Sequence, residues 1–273
     1  MTEVPEQGEQ LTVEQAIENL IGDDLGLRFY SAWWLGRFKV TDIRAVDRLI
    51  AALDDEDDRT EDGGGYPFRR NAARALGKLG NEKAVPKLIE ALDCTDFYVR
   101  EAAAQSLEML GAVSAIPKLT EQLQRGLAPA EQPAAQLVDE QPDLSEPYDA
   151  YLEALGTLGA VAVIPLIEPF LGHPVPRTQY AADRAMYQLT GDAKYGNLLI
   201  EALQGDDLQL RRAALTDVGA IGYLPAAEAI FETLAENSLK LISLKGVLER
   251  QLKAGEPLSD GAIRVMDLMD GLL

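Results

Sequence analysis

The chain has 273 residues, 47% hydrophobic but only 6% aromatic, and its 25 lysines and arginines against 45 aspartates and glutamates leave a net charge of −20. A surface this acidic repels phosphate backbones and anionic lipid, which argues against nucleic acid and membrane partners, and no apolar run approaches the ~20 residues of a membrane span. One cysteine, Cys94, and one histidine, His173, exclude an internal disulfide and a His/Cys zinc site, so no metal is expected and a reducing, cytoplasmic setting fits.

Residues 1–26 read as an N-terminal cap, and Met1 to Gln10 are too polar and acidic for a signal peptide. Leu27-Arg28-Phe29-Tyr30-Ser31-Ala32-Trp33-Trp34-Leu35-Gly36 then opens a template that recurs down the chain. After it, residues 54–65 place seven carboxylates before Gly63-Gly64-Gly65, which predicts a flexible acidic loop. The template returns as Phe68-Arg69-Arg70-Asn71-Ala72-Ala73-Arg74-Ala75-Leu76-Gly77-Lys78-Leu79-Gly80. It returns again as Tyr98-Val99-Arg100-Glu101-Ala102-Ala103-Ala104-Gln105-Ser106-Leu107-Glu108-Met109-Leu110-Gly111, with Arg69 and Arg100 31 residues apart. Pro86 and Pro117 repeat the same step of 31, each opening a second apolar segment.

The closing glycines Gly80, Gly111, Gly159, Gly191 and Gly222 step by 31, 48, 32 and 31, the long step absorbing a proline-bearing insertion at 124–146. Leu210-Arg211-Arg212-Ala213-Ala214-Leu215-Thr216-Asp217-Val218-Gly219 is a sixth copy, and residues 237–273 read as a degenerate C-terminal cap.

Within a copy the apolar residues keep helical spacing, as at Val99, Ala103, Leu107 and Leu110, so each helix buries one stripe. Glycine ends the helix in the left-handed C′ position, and proline starts the next where no N–H is lost. Units this small cannot bury their own apolar faces and must stack. The expectation is an all-α fold: a single α-solenoid of about six HEAT-like helix pairs over residues 1–273, curved, with a concave groove lined by the glycine-ended helices.

The free positions of those helices, lying between the buried stripe residues, are Phe29, Tyr30, Trp33 and Arg37; Arg70, Asn71, Arg74 and Lys78; Glu101, Gln105 and Met109; Asp149 and Glu153; Tyr180, Arg184 and Gln188. Trp33 and Trp34 point about 100° apart, so one can be core while the other faces the groove. Arg28, Arg69, Arg100 and Arg211 recur at one repeat position and read as ties between units. Cys94 lies in Asp93-Cys94-Thr95-Asp96, a turn whose carboxylates disfavour a thiolate. His173 sits in a proline-flanked turn and reads as a solvated loop residue. Tyr66 and Tyr98 precede the groove helices, where they either face ligand or staple the helix entry.

The stretches Tyr30 to Gly36, Tyr66 to Gly77, Phe97 to Leu107 and Leu208 to Leu215 resemble the HEAT-like repeats of the phycobilisome lyases, in particular the E-type subunits of heterodimeric E/F-type phycocyanobilin lyases. The resemblance covers nearly the whole chain. It implies that, with an F-type partner, the chain joins phycocyanobilin, a substrate rather than a resident cofactor, to a cysteine of the phycocyanin α subunit through a thioether bond. It also leaves open an isomerising subunit for phycoerythrocyanin, or removal or transfer of bilin. A non-catalytic HEAT-repeat scaffold is the reading that the fold alone would allow.

A bilin carries two propionates, a conjugated face and protonatable pyrrole nitrogens. On that implication Arg70 and Arg74 pair with propionates, Tyr30 and Trp33 stack on pyrrole rings, and Asn71, Gln105 and Tyr180 complete the bilin-binding set. Glu101 or Asp149 is the group expected to hold or supply the pyrrole proton. The acceptor cysteine belongs to phycocyanin, so no nucleophile is expected on this chain.

Overall fold

The computed structural model describes residues 11–60, 65–125, 146–252 and 257–273. All regular structure among the described residues is helical, with short 3-10 turns between fifteen α-helices. The chain divides into two compact units, Met1–Leu119 and Thr120–Leu273.

The first unit opens with α1 (Val13–Asn19) and pairs α2 (Leu25–Arg37) with α3 (Ile43–Ala52) and α4 (Pro67–Leu79) with α5 (Val85–Ala91). It continues through α6 (Phe97–Met109) into α7 (Ile116–Arg125), which runs across the division. The second unit pairs α8 (Tyr148–Thr157) with α9 (Ile164–Ile167), α10 (Pro176–Thr190) with α11 (Ala193–Ala202), α12 (Leu208–Ile221) with α13 (Ala227–Glu232), and α14 (Asn237–Gln251) with α15 (Asp260–Asp270). The C-terminal segment, read as a degenerate capping copy, carries this last pair. The expected insertion at 124–146 lies outside the described residues except at its ends, as does the reading of Met1 to Gln10.

The closing glycines do what the backbone there requires: Gly80, Gly111, Gly159, Gly191 and Gly222 all have φ between +62° and +74°. In the first copy Lys39 takes the left-handed place at φ +50°. Asp24, Asp42, Asp96, Asp192 and Asp207 cap the following helices through their carboxylates. Fully buried Leu76, Leu88, Leu92 and Leu107 form the core of the first unit; Tyr151, Leu152, Phe170 and Leu199 belong to that of the second.

A second set of glycines, inside the helices, sets how closely successive first helices approach. A Cβ on Gly36 would sit 2.8 Å from Ala75 Cα, one on Gly77 2.8 Å from Ser106 Cα, and one on Gly156 2.7 Å from Ala185 Cα. Ser106 Oγ, beside Gly77, donates to the Ala73 carbonyl at 2.8 Å and so fastens α6 to α4. On a solvated helix Gly77→Ala would stabilise by about 0.5–1 kcal/mol. Here the methyl meets backbone, and we expect Gly77→Ala to destabilise by about 1–3 kcal/mol as α4 and α6 are forced apart. Chemical denaturation reads the sign, and a gain in stability would contradict this packing.

The recurring arginines are ties, as expected. Arg28 donates to the Gly22 carbonyl at 2.6 Å, Arg100 to Cys94 at 2.7 Å and Arg211 to Gly205 at 2.6 Å, each reaching six residues back into the preceding turn.

The expectation of a flexible acidic loop at 54–65 is corrected over its described part. Asp55 pairs with Arg28 at 2.8 Å, Glu56 with Arg69 at 2.6 Å, and Asp58 accepts from the backbone N–H of Phe68. Seven neighbouring carboxylates repel one another in isolation, but buried Arg28 and Arg69 supply the opposite charge, so the stretch clasps α2 to α4.

Candidate functional site

The first unit sets α2, α4 and α6 side by side, and six of the seven free-position residues singled out there face outward at least in part. Tyr30 and Trp33, on α2, are 48% and 43% exposed, with ring centroids 5.6 Å apart. Trp34 is half-buried and packs on Phe38 at 4.8 Å, which settles which tryptophan is available. Gly36 against Ala75 and Asn71 against the Phe29 carbonyl fix the register of the two helices, so Trp33 lies level with Arg74.

Among the described residues Arg70 has no carboxylate partner. Its guanidinium lies 5.4 Å from the Tyr98 ring centre, and its Nε is buried without a hydrogen-bond acceptor. Arg74 makes one long contact, 3.3 Å to Glu101, and its side chain is 40% exposed. The pair is weak because water competes for both charges. Glu101 is half-buried and faces Arg74, and Gln105 lies half-buried one turn further along α6. The first unit thus brings Arg70, Arg74, the exposed rings of Tyr30 and Trp33, and Glu101 together on neighbouring helices.

Asn71 does not belong with them. It is 7% exposed and its amide donates to the Phe29 carbonyl at 3.2 Å, so it ties α4 to α2 rather than facing a ligand. The two uncertain tyrosines separate: Tyr66 is buried with its hydroxyl on Glu56 at 3.1 Å, whereas exposed Tyr98 lies under Arg70. Cys94 is half-buried in its turn. His173 lies in its turn as expected, but half-buried: Nδ1 accepts from the Val175 N–H at 3.2 Å and the ring stacks on Phe170 at 5.9 Å.

In the second unit Asp149 borders a charge network that the repeat pattern did not reveal. Arg177 lies 3.5 Å from Asp149, donates to Glu153, and meets Asp217 at 2.7 Å; Arg184 meets Glu153 at 2.8 Å and Asp217 at 3.5 Å. Burial raises the Asp149 carboxyl above the ordinary carboxylate range, opposed by Arg177. Asp217 is 0% exposed, and burial raises its carboxyl as well, against the pull of Arg177 and Arg184. Arg184, expected at a free position, is buried and committed to this network. Tyr180 is half-buried and lines a cavity of about 370 Å³ with Gln179, Asp183, Tyr195, Leu198 and Glu201. Sequence reasoning missed Arg177, Asp183 and Asp217. The available signal was Asp217 itself, a carboxylate aligned with the stripe residue Ala75.

Family models match as HEAT repeats over residues 66–139 and as the PBS lyase HEAT-like repeat over residues 27–55. The chain is 67% identical to the phycocyanobilin lyase subunit alpha of Microchaete diplosiphon over 97% of its own length and 90% of the relative's. It is 40% identical to the bilin biosynthesis protein PecE of Nostoc sp. PCC 7120 over 96% of each. A solved complex of CpcE and CpcF of phycocyanin lyase from Nostoc sp. PCC 7120 contains a chain that matches at 62% identity and a TM-score of 0.88, covering 100% of this chain and 99% of that one.

Proposed function

The chain belongs to the family of phycocyanobilin lyase alpha subunits, and from that premise we propose that, with an F-type partner subunit, it attaches phycocyanobilin to a cysteine of the phycocyanin α subunit through a thioether bond. It is a bilin lyase subunit, and no helix among the described residues is long and apolar enough to cross a membrane.

The chain's part in the reaction is to hold and activate the bilin. Forming the thioether joins the acceptor's sulfur to a bilin carbon and moves one proton onto the pigment, so the holder needs anion partners, a flat surface and a proton site. Arg70 is the observation that carries this reading: on a chain of net charge −20 it stands without a carboxylate among the described residues, beside weakly engaged Arg74. A guanidinium left without an anion in such a setting suits a propionate, by forked charge-assisted hydrogen bonds. Tyr30 and Trp33 offer ring faces on the adjacent helix, and Glu101, facing Arg74, is the proton-handling group. Asp149, whose carboxyl burial raises against the pull of Arg177, is a second group of that kind in the other unit.

The greater identity to proteins named phycocyanobilin lyase subunit alpha, 50–67%, than to the bilin biosynthesis protein PecE, 40%, supports the lyase assignment. The test is reconstitution. The chain, its F-type partner, phycocyanobilin and apo-phycocyanin α subunit should yield a covalent, zinc-fluorescent adduct with phycocyanobilin's own conjugation. No adduct beyond the spontaneous background would overturn the proposal, and an isomerised pigment would replace it with the other assignment.

A further inference from the structure

The cavity between α10 and α11 is not explained by the holding of propionates. Gln179, Tyr180 and Asp183 of α10, Tyr195, Leu198 and Glu201 of α11, and Leu171 before them line it, and its volume of about 370 Å³ is at the small end of the ~300–1,000 Å³ typical of ligand pockets. Asp183 is 7% exposed, yet among the described residues no cation or hydrogen-bond donor meets its carboxyl. The arginines in this unit that approach its acidic neighbours are engaged elsewhere, Arg177 and Arg184 on Glu153 and Asp217.

A buried carboxyl without a donor is costly unless something completes it. Here the groups around it are negative or aromatic. Fully buried Asp217 of α12 acts on it, exposed Glu201 lies on the cavity wall with no ion pair among the described residues, and Tyr180 and Tyr195 supply rings. Lys194 of α11 lies 4.5 Å over the Tyr195 ring, and Asp207 at the start of α12 adds negative charge near Tyr180. Two carboxylates and two tyrosine rings around a small space are the complement of an organic cation, which carboxylates pair with and ring faces attract.

We infer that this cavity binds an organic cation of the guanidinium class, with Asp183 as its counter-ion and Tyr180 and Tyr195 as its walls. Nothing in this rests on the bilin reading, since the cation and the anionic pigment are opposite in charge. Burial and Asp217 push the Asp183 carboxyl up to about 7, so the counter-ion is neutral in acid and ionised in mild alkali. Only the ionised form binds the cation, so affinity should fall about tenfold from pH 8 to pH 6 as Asp183 takes up a proton.

The experiment is calorimetric titration of the full chain with agmatine as the probe, at both pH values. Saturable binding, about tenfold tighter at pH 8, is expected. Asp183→Asn should abolish it while melting at least as high as the parent at pH 8, because it removes a buried charge, and Glu201→Gln should weaken it several-fold. Agmatine that does not bind, binds alike at both pH values, or binds Asp183→Asn as well as the parent would overturn the inference. A further arm tells a free small molecule from a cationic side chain of the F-type partner. Loss of partner affinity in saturating agmatine and in Asp183→Asn assigns the cation to the partner, and unchanged affinity assigns it to a free ligand.

Discussion

Arg184→Met is expected to be the most damaging single change in the chain, lowering the stability of the second unit by about 3–5 kcal/mol at pH 8. The side chain keeps its packing volume but takes away a guanidinium that faces Glu153 at 2.8 Å and Asp217 at 3.5 Å in a buried setting. Arg177 remains, yet it already serves Asp149, Glu153 and Asp217, and cannot neutralise all three.

The pH dependence has a definite sign. Burial raises the Asp217 carboxyl, so between the ordinary aspartate range and its folded value near 7 the native state holds a proton that the unfolded chain has lost. Stability contributed by such a group is present in acid and lost as pH rises through that window. Removing Arg184 takes away a force that opposes the rise. The defect of Arg184→Met should therefore shrink towards pH 5, where Asp217 is neutral, and be recovered in large part by adding Asp217→Asn. Urea denaturation at pH 5 and pH 8 checks this; a defect that is equal at both and indifferent to Asp217→Asn would mean that packing, not charge, holds these helices.

Arg70→Ala combined with Arg74→Ala should leave the fold intact and remove the hold on bilin. The two side chains are partly exposed, Arg70 has no ion pair to lose among the described residues and that of Arg74 is long, so the stability change should stay within about 1 kcal/mol. Each charge-assisted hydrogen bond to a propionate is worth about 1.5–3 kcal/mol, so the double variant should bind phycocyanobilin at least about 100-fold more weakly. Absorbance titration with the bilin measures it. Undiminished affinity in the folded double variant would take these arginines out of the site.

The fold was legible because its repeat is written in backbone requirements. A left-handed residue at each helix end selects glycine at Gly80, Gly111, Gly159, Gly191 and Gly222, and the carbonyls of the preceding turns select Arg28, Arg100 and Arg211. Where the requirement is relaxed, the signal fades. Lys39 occupies the left-handed place in the first copy, and α14 ends at Leu252 in an extended conformation, so the seventh pair lacks its landmark. The site was only half legible. Helical spacing gives the turn on which Arg70, Arg74, Trp33 and Glu101 lie, but it does not report what else competes for a side chain. Asn71 shares the position class and is spent on the Phe29 carbonyl; Arg184 aligns with Arg74 and is buried by carboxylates from two other helices. The acidic stretch shows the same limit: its charges are plain in sequence, while the arginines that order it are 27 and 13 residues away.

The most direct measurement is the structure of the chain with its F-type partner and phycocyanobilin bound. A propionate within hydrogen-bonding distance of the Arg70 guanidinium, with a pyrrole ring against Trp33 or Tyr30, is the predicted result. A bilin whose propionates are both held by other residues, leaving Arg70 as bare as it is without ligand, would contradict the account.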